Sequence, residues 1–221
     1  ELAARAGVAV VGIDYALSPE VRYPVALEQV IDVVGWLQQH GAAHGPDASR
    51  LALGGDSAGG NLSTGAALQL RDVGEGHRVS AVLSYYAGFT PDCSPHSRRR
   101  YGTDEDMLTA KEVDTFWNYY ISTPDDRNTP YTHGLLSELE GLPPYFIGVG
   151  ECDVLSEQNL TMAGKLLASG VSVDVKLYPG APHSFIEAVA VSSVARRALE
   201  DGATFLRQRF GLGTTALPVA A

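Results

Sequence analysis

Leu51-Ala52-Leu53-Gly54-Gly55-Asp56-Ser57-Ala58-Gly59-Gly60-Asn61-Leu62 is the stretch on which the fold turns. A brief apolar run, Leu51 to Leu53, reads as a strand that enters Gly54 and Gly55. Ala58 to Leu70 is mostly small or apolar and reads as a helix. Between them lies Gly-x-Ser-x-Gly, with Ser57 at the apex. A strand-to-helix turn this sharp holds its serine in a strained backbone conformation. Side chains at Gly55 and Gly59 are therefore expected to collide with neighbouring backbone. The turn would hold the Ser57 hydroxyl clear of the sheet, at the positive end of the helix. There the Ala58 N–H could donate to a developing oxyanion. The chain has 24 glycines, so the pattern alone also fits a plain turn with a capping serine. The strand-turn-helix context favours a nucleophile.

Working outward, strands and helices alternate. Val8 to Ile13 is a β-branched apolar run, read as a buried strand. Pro24 suits a first helical turn, and Leu27, Val30, Ile31, Val34 and Leu37 recur at helical spacing before Gly41. Val79 to Tyr86 is a further strand. Residues 87 to 108 show no clear period. Thr109-Ala110-Lys111-Glu112 is a capping box opening a helix through Phe116, Trp117 and Tyr120. A loop with Pro and Asp spans roughly 122 to 143. Tyr145 to Val149 is a strand, Ser156 to Ala168 a helix closed by Gly170, and Val171 to Tyr178 a strand. Ser184 to Phe210 reads as a helix broken near Gly202. This alternation predicts an α/β fold: a mostly parallel sheet with helices on both faces, and a site at the carboxyl ends of the strands. Residues 1 to 211 read as one catalytic domain and 212 to 221 as a frayed tail.

The 221 residues are 45% hydrophobic and 19% charged, enough for a sizeable core without metal or disulfide support. A formal net charge of -10 argues against a nucleic-acid partner, and Arg98-Arg99-Arg100 reads as a solvated loop. No apolar run reaches the length of a membrane span. Cys93 and Cys152 lack metal-ligand spacing and read as free thiols of a reducing, cytoplasmic compartment. Asn61 and Asn159 match the glycosylation pattern by chance, both falling in expected helices. Glu1 to Gly7 is not a signal peptide. It reads as the end of a helix, and the chain as N-terminally incomplete.

A serine hydroxyl needs a base, and the base an orienting acid. On such a fold the chain order is Ser, then Asp or Glu, then His. Of six histidines, His40, His44 and His77 lie at helix ends or on surface loops, and His96 and His133 in irregular segments. His183 alone follows a strand by a short Pro/Gly loop and precedes the last helix; otherwise it would be a surface histidine at that helix's start. Asp153 follows the strand Tyr145 to Val149 on the loop before a helix. Glu151 and Glu157 are rivals for the acid. Glu157 already suits the helix start.

These segments together resemble the hormone-sensitive-lipase-like esterases of the α/β-hydrolase fold. Gly54 to Leu62 looks like that family's nucleophile motif. Asp14-Tyr15-Ala16-Leu17-Ser18-Pro19-Glu20 with Tyr23-Pro24 looks like its segment after an early strand. Asp153-Val154-Leu155 resembles the acid motif, with Val154 where Pro is common, and Tyr178 to Phe185 resembles the histidine motif. The Ser-Pro-Glu form and the stretch from Thr129-Pro130-Tyr131 to Pro143-Pro144 look closest to the bacterial acetyl esterase branch. The resemblance implies a serine carboxylesterase acting on short-chain acyl esters through an acyl-enzyme. It implies no cofactor and no metal. Ser57 would be nucleophile, His183 base and Asp153 its acid. The substrate would be a small ester, and a homodimer is one assembly open to the protein. Neither the family's His-Gly-Gly oxyanion motif nor its N-terminal cap over the acyl pocket is found in this chain. Asp56, Asp14 and Glu20 read as structural; Phe89, Trp117 and Tyr120 could line an acyl pocket but suit a core equally. The alternatives are another hydrolase on this fold (an amidase, peptidase or lactonase) and a non-catalytic binding protein that kept it.

Overall fold

The computed structural model describes residues 1–213; the tail expected from 212 lies almost wholly outside them. Four parallel strands, β1 (Ala52–Asp56), β2 (Ala81–Tyr85), β3 (Tyr145–Cys152) and β4 (Val173–Pro182), lie in the order β1-β2-β3-β4. Parallel neighbours need crossovers. These are supplied by α3 (Ala58–Asp72), by α7 (Ser156–Ala168), and between β2 and β3 by a long excursion.

Both faces of the sheet are covered. On one, Val82, Tyr145, Ile147 and Val149 pack with Leu27, Val30 and Val34 of α2 (Val25–His40), Leu62 and Leu68 of α3, and Met162 and Leu166 of α7. On the other, Ala81, Leu83, Tyr85 and Phe146 pack with Ala6 of α1 (Leu2–Ala6) and with Ala198, Ala203 and Phe205 of α8 (Ser193–Arg209). The mostly continuous burial of β2 and β3 is what a parallel sheet covered on both sides requires.

Several expectations are corrected. Val8 to Ile13 is extended but not a strand, and Val10 and Val11 are half exposed. The segment faces β1 across a groove of about 990 Å3 lined also by Val30, Val34, Leu53 and Leu206. A strand is defined by a hydrogen-bonded neighbour, and among the described residues this segment has none. The stretch 87 to 108 holds α4 (Pro95–Tyr101), capped by Ser94, whose side chain accepts from the Ser97 N–H. The loop of 122 to 143 contains α6 (Pro124–Asn128), with a second capping box on Thr123 and Asp126. The capping box at Thr109 and Glu112 opens α5 (Ala110–Tyr120) as expected. Gly41 is helical and continues into a 3-10 turn that ends at Gly45, φ 100°. The last helix is not broken at Gly202. It breaks at Val191-Ser192, after a 3-10 stretch Phe185–Ala190. Gly202 is there for space: a Cβ would run into the Tyr85 hydroxyl, which donates to the Ala198 carbonyl at 2.9 Å. Phe89 is fully buried in the main core, and Trp117 packs in a small cluster with Val154 and Leu155.

Candidate active site

Strands β1, β3 and β4 of the parallel sheet end on the same edge, and each delivers one residue to that rim. Ser57 follows β1, Asp153 follows β3 and His183 follows β4. The Ser57 Oγ lies 2.9 Å from His183 Nε2, and His183 Nδ1 lies 2.8 Å from Asp153 Oδ2. Asp153 and His183 are buried while Ser57 is half-buried. The hydroxyl is thus the end of the chain of hydrogen bonds that opens outward. The other Asp153 oxygen accepts the Leu155 N–H at 2.8 Å, which fixes the carboxylate plane.

The local backbone explains why this geometry forms. Ser57 has φ 49°, in the region that disfavours side chains. Its N–H donates to the Tyr85 carbonyl at 3.0 Å, tying the apex to the end of β2. At Gly55 a Cβ would sit 2.5 Å from the Gly59 carbonyl carbon, so the turn closes only over glycine. Gly59 itself corrects the expectation: a Cβ there meets nothing within 4 Å. Gly60 is the second position that must be glycine, because a Cβ would lie 2.5 Å from the Ala87 Cβ. Ala58 is the first helical residue of α3, so its N–H has no intrahelical partner and points with the helix dipole toward the rim.

The rivals have other work. Glu157 accepts from the Ser94 hydroxyl. Glu151 accepts the Gly180 N–H at 2.8 Å, which braces the end of β4, where the structure continues the strand through the expected Pro/Gly loop to Pro182. His96 is well exposed on α4, and burial pushes the pKa of His133 down. Among the described residues no cluster of His, Cys, Asp and Glu could hold a metal.

Tyr86 and a set of buried amides escaped the sequence reading. Tyr86 packs edge-on against the His183 ring at 4.8 Å and against Phe185 at 5.5 Å. Its backbone is at φ 35°, and burial drives its hydroxyl pKa far up. The loop after it is held by side chains. Asn159 accepts from the Ala87 N–H and donates to the Ala87 and Leu155 carbonyls. Gln158 accepts from the Phe89 and Thr90 N–H groups, and Asn61 donates to the Gly88 and Thr132 carbonyls. Asn61 and Asn159 are both buried. Only their neighbours in space, not in sequence, reveal the role.

Comparison with known proteins agrees with this architecture. A family described as "alpha/beta hydrolase fold" matches residues 1–187. The chain therefore belongs to the α/β hydrolases, as its resemblance to the hormone-sensitive-lipase-like esterases implied. An acetyl esterase of Salmonella paratyphi B is 35% identical over 211 residues, which is 94% of this chain and 65% of that protein. The chain thus spans about 65% of the length of this curated relative. Among solved structures, an esterase of Pyrobaculum calidifontis superposes with TM-score 0.89 at 31% identity, covering 96% of this chain and 69% of that one. The esterase LipW of Mycobacterium marinum does so with TM-score 0.86 at 30% identity, covering 95% and 65%.

Proposed function

We propose that this chain is the catalytic portion of a serine carboxylesterase that hydrolyses short-chain acyl esters. The observation that carries the reading is the unbroken relay from Ser57 Oγ through His183 to the buried carboxylate of Asp153. His183 Nε2 takes the hydroxyl proton as Ser57 Oγ bonds to the acyl carbon. The carbonyl π electrons move onto oxygen, and the Ala58 N–H is the donor this chain supplies to that oxyanion. The tetrahedral intermediate collapses, the alkoxide leaves with the proton from His183, and an acyl-enzyme remains. Water then attacks with His183 again as base, releasing the carboxylic acid and restoring Ser57. Asp153 holds the imidazolium through its hydrogen bond to Nδ1, and none of these steps calls on a metal or cofactor.

Short acyl chains are supported by the relatives named acetyl esterase. The formal charge of -10 fits a small neutral ester better than a polyanion. Among the described residues no helix is long and apolar enough to cross a membrane. With Cys93 and Cys152 both free, we place the protein in the cytoplasm. Two measurements test the reading. A fluorophosphonate probe should label the chain at Ser57, and Ser57→Ala should abolish labelling. Hydrolysis of p-nitrophenyl acetate should exceed that of the matched anilide. Labelling that survives Ser57→Ala would refute the nucleophile; preference for the anilide would make the protein an amidase.

A further inference from the structure

The ring of Tyr86 stands against His183, and we propose that Tyr86 is a positioning residue that keeps the imidazole aligned during deacylation, when Ser57 cannot. The proposal rests on the esterase reading above. In the free site the imidazole is held at both ends, Nε2 by the Ser57 hydroxyl at 2.9 Å and Nδ1 by Asp153 at 2.8 Å. Once Ser57 is acylated, its Oγ is an ester oxygen without a proton. His183 has by then given its Nε2 proton to the departing alkoxide. Two acceptors face each other, and that hydrogen bond is gone. The ring keeps its bond to Asp153 and is free to swing about it. Yet this is the step in which Nε2 must take a proton from water as the water oxygen bonds to the acyl carbon. It must then return the proton to Oγ as the bond from the acyl carbon to Oγ breaks.

What still confines the imidazole is the tyrosine beside it. The two ring centroids are 4.8 Å apart and the planes 60° to each other, an edge-to-face contact of the kind aromatic pairs favour. Tyr86 is itself fully buried and backed. Phe185 lies behind it at 5.5 Å and Tyr178 behind Phe185 at 5.2 Å. The Tyr178 hydroxyl donates to Asp201 of α8 at 2.9 Å, and the Tyr86 N–H donates to the Gly148 carbonyl of β3 at 2.8 Å. The wall is anchored to β3 and α8 rather than to Ser57, so acylation leaves it in place. The backbone points the same way. A φ of 35° is costly for an aromatic residue. Such strain persists only where the surroundings enforce it, and it clusters at functional sites. The hydroxyl is not the acting part: its contact to Asp56 is long, at 3.4 Å, and burial keeps it protonated. The ring does the positioning.

The test is steady-state and stopped-flow hydrolysis of p-nitrophenyl acetate by the full 221-residue chain and by Tyr86→Leu and Tyr86→Phe, with far-UV circular dichroism to show that each is folded. In this two-step reaction kcat/KM reports acylation, while kcat also includes deacylation. Tyr86→Leu takes the ring away, and a displaced base costs on the order of 10²-fold. That loss should fall on kcat, with kcat/KM reduced much less and KM lowered in step. A p-nitrophenol burst approaching one per active site should appear as acyl-enzyme accumulates. Tyr86→Phe restores the ring and should rescue turnover to within a few-fold, with the burst back at its wild-type amplitude. Should Tyr86→Leu fail to fold, Phe185→Leu removes the support behind the ring and should show the same split between kcat and kcat/KM to a smaller degree. Equal losses in kcat and kcat/KM, an unchanged kcat, or a Tyr86→Phe enzyme as slow as Tyr86→Leu each overturn the proposal. If the wild type labels with the fluorophosphonate probe and turns over while the variants show no split, this inference alone is lost. A wild type that does neither removes the esterase reading, and this inference with it.

Discussion

Of the three rim residues other than glycine at positive φ (Ser57, Tyr86 and Ser184), those after β1 and β2 are held by opposite means. After β1, Ser57 sits at φ 49° because the flanking glycines let backbone close on backbone at 2.5 Å. After β2, Tyr86 sits at φ 35° with no glycine spacing of that kind before Gly88. The loop beyond Tyr86 is clamped by Asn159, Gln158 and Asn61, which satisfy its buried backbone groups. The first corner is fixed by the absence of side chains, the second by their presence. A steric corner tolerates no substitution at the contact. A polar corner loses stability stepwise as its hydrogen bonds go. Both corners converge on His183, the first through Ser57 Oγ and the second through the Tyr86 ring.

Breaking the relay itself should have the largest effect. Asp153→Asn removes the charge that holds the imidazole, and esterase turnover should fall about 10⁴-fold with little change in melting temperature. If turnover survives, Glu151 or Glu157 would have to be the acid. Gly55→Ala should come next. Its Cβ meets backbone that cannot step aside, so we expect a loss of about 3 kcal/mol or more in urea unfolding. Probe labelling should fall with it. Gly59→Ala is the sharp control, because it meets open space within a helix. It should be neutral or stabilise the fold by up to about 1 kcal/mol. Equal damage from both would dismiss the steric account of the first corner.

The polar corner predicts intermediate effects. Asn159→Ala leaves the Ala87 N–H and carbonyl buried without partners and should cost about 2–3 kcal/mol, measured by chemical denaturation. A change under about 0.5 kcal/mol would mean that the clamp is incidental. Tyr86→Phe should be the mildest. It keeps the ring against His183 and removes only a 3.4 Å contact from the hydroxyl to Asp56, a carboxylate on an exposed residue. Turnover should stay within a few-fold of the wild type.

The three residues of the relay were legible because each announces itself locally. Ser57 lies between spaced glycines, and Asp153 and His183 each follow an apolar run by a short loop. The cap at Thr109 is legible for the same reason, whereas Ser94 and Thr123 cap short helices set in sequence with no clear period. The Val8 to Ile13 run shows the limit. It is more continuously apolar than Val173 to Tyr178, yet only the latter has β3 beside it and becomes a strand. Gly202 shows the limit from the other side, since a glycine that reads as a break is a clearance for Tyr85 113 residues from Ala198 in sequence.

The sequence by itself determined the order of elements, the sharp turn at Ser57 and a short set of candidates for its two partners, because these rest on spacing and local backbone preference. Only the tertiary structure decided which apolar run pairs as a strand and which glycine must stay bare. It alone set Tyr86 on His183 and aimed Asn61, Gln158 and Asn159 at one loop. Those outcomes depend on what lies across a gap, and hydrogen bonds and steric contacts between distant segments leave no mark on the spacing of either one.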